Sequence, residues 1–341
     1  MRIGLLTGGG DCPGLNAVIR AVVGCASTRQ SEIVGILEGW RGLVEGHTRT
    51  IDPEEVRGLL RQGGTILRTS RTNPFRAPEV LEQMLQNWKR LALDALIAVG
   101  GEDTLGVAAR LYREFGWPVV GVPKTIDNDI SATDYTFGFD TAVSIATEAI
   151  DRLHTTAESH NRVLVVEVMG RHSGWIAMYA GIAGGASYIA IPERPVSVEQ
   201  IAVAVTERAA AGQNYSIIVV AEGARIDGLV GRATSAADEF GHALPGGIGH
   251  ELADRIGEET GFETRVTVLG HVQRGGTPTA HDRVLSTRYG ALACDLVHRG
   301  RFGTMVSLAG DRVVAVDLGR AVAQPKTVDA GLIALAEILF S

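Results

Sequence analysis

The sequence predicts an α/β fold with parallel-rich sheets flanked by helices, and three observations carry that prediction. Short apolar runs recur along the 341 residues. Helix-spaced apolar patterns lie between them. Paired glycines and charged side chains cluster where the runs end. Continuous apolar runs suit strands buried on both faces of a parallel sheet, and their alternation with helices suits crossover connections. In such sheets ligands bind beyond the carboxyl ends of the strands. The length gives a prior of about two domains, each large enough for its own core.

The first run, "IGLLT", leaves into "GGGDCPGLN". Gly8, Gly9 and Gly10 permit close backbone approach, and Pro13 suits the first turn of a helix whose apolar face is Leu15, Val18, Ile19, Val22 and Val23. Such a turn offers backbone N–H groups to an anion, although it lacks the lysine of a P-loop and is not G-x-G-x-x-G. Taken alone it reads equally as a plain strand-to-helix turn. A second glycine turn, "GGTILRTSRTN", carries Arg71. The run "ALIAVG" exits into Gly101, Glu102 and Asp103. Acidic residues there favour a helix start through the dipole, or they serve a phosphate site that needs magnesium. "PVVGV" exits into "PKTIDNDI", which sets Lys124, Asp127 and Asp129 in one turn; a solvated surface turn is the plain alternative.

A helix follows on Ala142, Ile145, Ala146, Ala149 and Ile150, then "VLVVEV" with Met169, Gly170 and Arg171 at its exit. Ser173 to Pro192 is 20 residues without a charge, long enough to span a bilayer. Its four glycines and final proline instead divide it into a helix from Trp175 to Gly181, a Gly-Gly turn and a strand from Tyr188 to Ile191. "SIIVVAEG" ends in Glu222, and "VTVLGH" in His271 with Arg274 beyond. Together with Arg71, Arg162, Arg171 and Arg265, Arg274 suggests a site for several phosphates. His271 alone reads more simply as a satisfied core histidine.

The composition excludes several classes. Apolar residues at 45% and charged residues at 21% describe an ordinary globular protein. A net charge of -7 with no basic run argues against nucleic acid. Cys12, Cys25 and Cys294 are few and widely spaced, which fits a reducing cytoplasm without disulfides or a metal cluster. Met1-Arg2 leads straight into the first run, so no secretory leader and no membrane partner are expected. There is no H-E-x-x-H, no zinc spacing and no G-x-S-x-G elbow.

In this order "GGGDCPGLN", "GGTILRTSR", "GGEDT", "PKTIDNDI", "SHNRVLVVEVMGRHSG", "AEG", "ETRVTVLGHVQRGG" and the Asp282-Arg283 pair resemble the 6-phosphofructokinases over nearly the whole chain. The resemblance implies two domains, residues 1–137 plus about 273–323 and 138–272 plus about 324–341, with the active site in the cleft between them. It implies fructose 6-phosphate as substrate and Asp127 as the base that takes the proton of the 1-hydroxyl. Thr125 would touch the transferring group, and Arg71 and Arg171 would stabilise its charge. Magnesium falls to Glu102, where relatives more often have aspartate, and to Asp129. Gly10, Arg71, Asp103 and Lys124 would meet the donor. Sugar phosphate binding carries over to Thr125, Ile126, Asp127, Met169, Gly170, Arg171, Glu222, His271, Val272, Gln273 and Arg274. Arg162 and Arg265 would reach in from a neighbouring subunit, making a homodimer or homotetramer with shared sites.

The resemblance also bears on the donor. ATP-using relatives carry glycine where Asp103 stands, and diphosphate-using relatives carry aspartate there with lysine at position 124. Two like charges about 4 Å apart repel by roughly 4 kcal/mol at an effective dielectric of about 20, on the order of a thousandfold in affinity. The Asp103 carboxylate would thus oppose the α-phosphate of ATP, and diphosphate is the expected donor. The alternatives are an ATP-dependent phosphofructokinase and a non-catalytic regulatory subunit; the latter would be expected to lose Asp127 or Arg171. "GGED" also resembles the "GGDG" of NAD and diacylglycerol kinases, but their chains lack the other motifs. The basic effector pocket of allosteric relatives is mostly replaced by His154, Gln213 and Asn214, with Arg20 remaining, so nucleotide control is not expected.

Overall fold

The computed structural model describes residues 1–229, 234–237, 240, 243–244 and 247–340. The strands that matter for the site are β1 (Arg2–Thr7), β2 (Glu32–Ile36), β3 (Thr48–Thr50), β4 (Ala95–Gly100) and β5 (Val119–Thr125). They continue as β6 (Val163–Val168), β7 (Tyr188–Ala190), β8 (Ser216–Ala221), β9 (Thr264–Val268), β10 (Thr304–Ala309) and β11 (Arg312–Asp317). An eight-stranded sheet runs β11-β10-β5-β4-β1-β2-β3, with the short strand Phe137–Gly138 pairing beside β5. Its centre is parallel, and only β3 and β11 at the margins run antiparallel to their neighbours. A four-stranded sheet, β9-β6-β8-β7, is parallel throughout.

The apolar runs become central strands because both of their faces are covered. All six residues of β4, β6 and β8 are buried. "VTVLGH" departs from the expectation of a strand buried on both faces. β9 pairs only with β6, stands at a sheet edge and leaves Val268 47% exposed. With a neighbour on one side only, and its faces only partly covered, β9 is less enclosed than β6 and β8 at the centre of the sheet. The β10–β11 hairpin, with Gly310 in its turn at φ 60°, was not among the expected runs.

Crossover helices join the strands. They include α1 (Leu15–Thr28), α2 (Glu102–Phe115), α3 (Phe139–His160), α4 (Trp175–Ala183) and α5 (Ala280–His298), and α6 (Ala330–Phe340) follows the last strand. α1 starts two residues beyond Pro13, after Gly14 at φ 111°, rather than at the proline. The uncharged stretch resolves as expected into α4, a turn and β7, packed in the core. No helix among the described residues is long and apolar enough to cross a membrane.

One apolar cluster joins the two sheets. It runs from Ile3, Leu5 and Ile97 through Phe137, Phe139, Ala142 and Ala146 to Val166 and Ile217. Register then brings strand ends level: Thr7 lies beside Val99, Gly100 beside Pro123, and Ala221 beside Val168. The loops that leave β1, β4, β5, β6 and β8 therefore open toward one another.

Candidate active site

These exits line one cavity of about 210 Å³. From β1 come Gly9 and Gly10; from β4 and α2 come Gly101, Glu102, Asp103 and Thr104. β5 supplies Lys124 and Thr125, and the turn after it Ile126, Asp127 and Asp129. β6 supplies Met169, Arg171 and His172, β8 supplies Glu222, and the segment after β9 supplies His271 and Arg274. Arg71 completes the wall. Its loop is tied to β1: the Gly9 N–H donates to Ser70 O at 3.1 Å, and Thr69 Oγ1 to Gly9 O at 2.5 Å.

Lys124 is buried and its Nζ donates to Gly10 O. Burial pushes this ammonium down, while Asp11 and Asp127 help to hold it charged. The Arg274 guanidinium lies close over Gly10: a Cβ there would displace it. Arg274 also reaches Asp11 O at 3.4 Å. Thus the first glycine turn, Lys124 and Arg274 form one packed unit.

The Asp127 backbone is pinned on both sides. Its N–H donates to Thr125 Oγ1 at 3.0 Å, and its carbonyl accepts from Ser173 Oγ at 3.0 Å. The carboxyl oxygen Oδ1 is buried with no hydrogen-bond partner. Burial pushes the carboxyl up, against the pull of Arg274, Arg171, Lys124 and His172. Asp129 is pushed to about 7, first by burial and then by the charges of Asp127 and Glu102. Glu222 also rises to about 7, from burial and from Asp127.

A crowd of carboxylates that raise one another's proton affinity is a set of hard oxygen donors short of a cation. Among the described residues no three acidic, histidine or cysteine side chains are placed to enclose a metal ion by themselves. That combination fits magnesium, which takes one or two carboxylates and fills its shell with water and phosphate oxygens.

The remaining expected residues fall elsewhere. Gly170, at φ 138°, accepts from the Gly223 N–H at 3.1 Å and shapes the β6 exit from behind. Gln273 is fully buried and its Nε2 donates to Gly270 O, while Val272 is 61% exposed. Arg162 and Arg265 do not line the cavity; both pair with Glu263 by the β9 edge. His154 is engaged with Gly184 O at 2.6 Å and the Tyr215 hydroxyl at 3.3 Å. Thr104 and His172, not expected from the sequence, join the lining. Asp103 and Glu102 also line a second hollow of about 330 Å³ with Phe75, Val107 and Arg110.

Comparison with known proteins agrees with this geometry. The family model described as phosphofructokinase matches residues 2–297. The chain is 57% identical over 335 residues to a pyrophosphate–fructose 6-phosphate 1-phosphotransferase of Streptomyces coelicolor, covering 97% of each chain. It is 52% identical over 330 residues to the ATP-dependent 6-phosphofructokinase 3 of the same organism, covering 96% of each. Among solved structures, Pichia pastoris phosphofructokinase in the T-state matches with a TM-score of 0.84 and 33% identity. That match takes in 99% of this chain and 36% of the fungal one, so the chain spans about a third of its length. A family match over most of the chain and full-length relatives above half identity leave one assignment: the chain belongs to the phosphofructokinase family.

Proposed function

We propose that the protein transfers a phosphoryl group from diphosphate to the 1-hydroxyl of fructose 6-phosphate, giving fructose 1,6-bisphosphate and phosphate, reversibly. The observation that carries the choice of donor is the position of Asp103. It stands between the central cavity and the hollow beyond it. In this reading a diphosphate lies in front of it, and a nucleotide would have to pass it with its α-phosphate. Overall identity does not separate the donors, because relatives named for each lie close to this chain.

In this reading Asp127 accepts the proton of the 1-hydroxyl. A desolvated carboxylate with one oxygen left without a hydrogen bond is a stronger base than one in water, which suits it to that transfer. Thr125 and Ser173 fix its backbone, so little reorganisation is needed when the hydroxyl arrives. Arg71 and Arg171 stabilise the charge of the transferring group, and Lys124 with Gly10 holds the diphosphate. Glu102 and Asp129 would hold Mg²⁺. The chemistry bound Mg²⁺ supplies is neutralisation of phosphate oxygens, which also relieves the mutual repulsion of these carboxylates.

Met169, Gly170, Glu222, His271 and Arg274 bind the sugar phosphate, with Ile126, Val272 and Gln273 shaping that end. Arg162 and Arg265 come from a neighbouring subunit of a homodimer or homotetramer. The chain divides into a donor domain, 1–137 with about 273–323, and a sugar domain, 138–272 with about 324–341.

ATP as donor is the one competing reading, favoured by the aromatic hollow behind Asp103. Specificity constants with fructose 6-phosphate, Mg²⁺ and either donor decide between them. Diphosphate is expected to lead by about two powers of ten or more, from like-charge repulsion at Asp103. A preference for ATP overturns the reading.

A further inference from the structure

The turn that carries Asp127 and Asp129 is held from behind by a segment nearly 200 positions later in the chain. Residues 324–328 run along it as a strap. Pro325 bridges Ile130 in antiparallel fashion, the Lys326 N–H donates to Asp129 O at 2.7 Å, and Ser131 Oγ donates to Gln324 O at 2.6 Å. The strap is anchored to the sugar side as well. Trp175 Nε1 donates to Lys326 O at 3.2 Å, and the Val328 N–H donates to Glu193 Oε1 at 3.1 Å.

The strap delivers one ammonium group into the turn. Lys326 Nζ donates to Asn128 Oδ1, Thr133 O and Asp134 O, each at 3.0 Å. It also lies 5.2 Å from the centre of the Trp175 ring. Three donors thus meet three acceptors, the full capacity of an ammonium. The acceptors span both limbs of the loop from 128 to 134, so the charge closes the loop upon itself. Asn128 is its pivot. It is buried, at φ 50°, and its Oδ1 also accepts from the Thr136 N–H at 3.1 Å. With Asn128 held on the strap side, its neighbours Asp127 and Asp129 are the ones that line the cavity.

We infer that Lys326 is a positioning residue for phosphoryl transfer: by holding Asn128 and the carbonyls of residues 133 and 134, it sets where the carboxylates of Asp127 and Asp129 stand. The inference rests on Asp127 being the base. Lys326 does not line the cavity. It acts through the loop, and small displacements of a reacting group are costly: about 1 Å can lower a rate by roughly a hundredfold.

The test is a double-mutant cycle on the full chain, using Lys326→Met, Asp127→Asn and the pair, with Lys326→Gln replacing Lys326→Met if that variant does not fold. Steady-state kinetics with diphosphate, fructose 6-phosphate and Mg²⁺ are read for each. Lys326→Met is expected to lower kcat about 10- to 100-fold while both KM values stay within about threefold. In the Asp127→Asn background the same change should cost at least about threefold less than in the wild type, because only Asp129 is then left to position. An unchanged kcat, a rise in KM at constant kcat, or the same fold loss in both backgrounds overturns the inference while leaving Asp127 as the base. Near-normal turnover by Asp127→Asn alone removes the base itself, and the inference with it.

Discussion

At the scale of single residues, the proposed choice of donor turns on Asp103. Its carboxylate stands at the first turn of α2, where the helix dipole favours a negative charge. The hollow behind it has an aromatic wall, Phe75, with the Arg110 guanidinium 3.9 Å above the ring. Arg110 is also bound by Glu114 at 2.8 Å, so the wall is preformed. Asp103→Gly should therefore admit ATP and weaken diphosphate use, since Lys124 would lose its partner in recognising the small donor. The ratio of kcat/KM for ATP over diphosphate is expected to rise by about two to three powers of ten, short of a complete exchange. An unchanged ratio means that another residue selects the donor. Asp103 and Lys124 were legible in the sequence because each sits in a distinctive motif. His172 and Thr104 were not. "GRHSG" offers several polar groups in a row, and only the folded turn decides which face the cavity. Thr104 packs against Gly8 and Gly100, a contact between two strand exits that no local pattern encodes.

At the scale of elements, two helix starts meet at one buried carboxylate, Asp282, and a third begins close by. It lies in the first turn of α5 and accepts from the Thr141 N–H at 2.9 Å and Thr141 Oγ1 at 2.5 Å at the start of α3. Thr279 caps α5 and donates to Asp140 at 2.6 Å. α1 begins against the same place, where a Cβ on Gly14 would strike Ser286 and Phe137. The sequence marked Asp282-Arg283 as a motif and gave it no task; the structure makes Asp282 the joint of α3 and α5. Burial pushes its carboxyl up from 3.8 to about 6, with the Thr141 hydrogen bonds pulling back. A raised folded value means that the fold binds the proton more tightly than the unfolded chain does. Its contribution to stability is then complete below about pH 4 and is lost as pH rises through about 6. Asp282→Asn should lack this dependence. A tenfold change in proton affinity is worth about 1.4 kcal/mol, so the stability difference, wild type minus variant, should fall by on the order of 3 kcal/mol between about pH 4 and about pH 7. Denaturant unfolding of both proteins across that range checks it; parallel curves would show that Asp282 stays ionised throughout.

At the scale of the whole molecule, the parallel strands and their functional exits were legible because continuous apolar runs and glycine-charge clusters are local signals. The strap at 324–328 was not, because its meaning lies in Asn128, Thr133 and Glu193, which only the folded chain brings near. Nor does periodicity reveal that β9 is an edge. That edge carries the last question, assembly. Arg162 is bound by Glu263 at 2.8 Å and Arg265 by the same carboxylate, whose proton affinity Arg162 holds low. Arg265 is 58% exposed, Val268 and Val272 are open, and neither arginine lines its own chain's cavity. Two family-position arginines outside their own cavity, held at the start of an edge strand whose far end exposes Val268, suit a second copy docked along β9. If sites are shared in that way, inactive Asp127→Ser and Arg265→Ser proteins should complement. In a mixed pair, one site has both defects and the other has neither. With equal amounts and free exchange, half of all pairs are mixed, so about a quarter of wild-type activity should return. Activity is measured before and after exchange, with mixed species verified by native mass spectrometry. Mixed pairs without recovered turnover would mean that each chain completes its own site, and that Arg265 serves some purpose other than holding the neighbour's substrate.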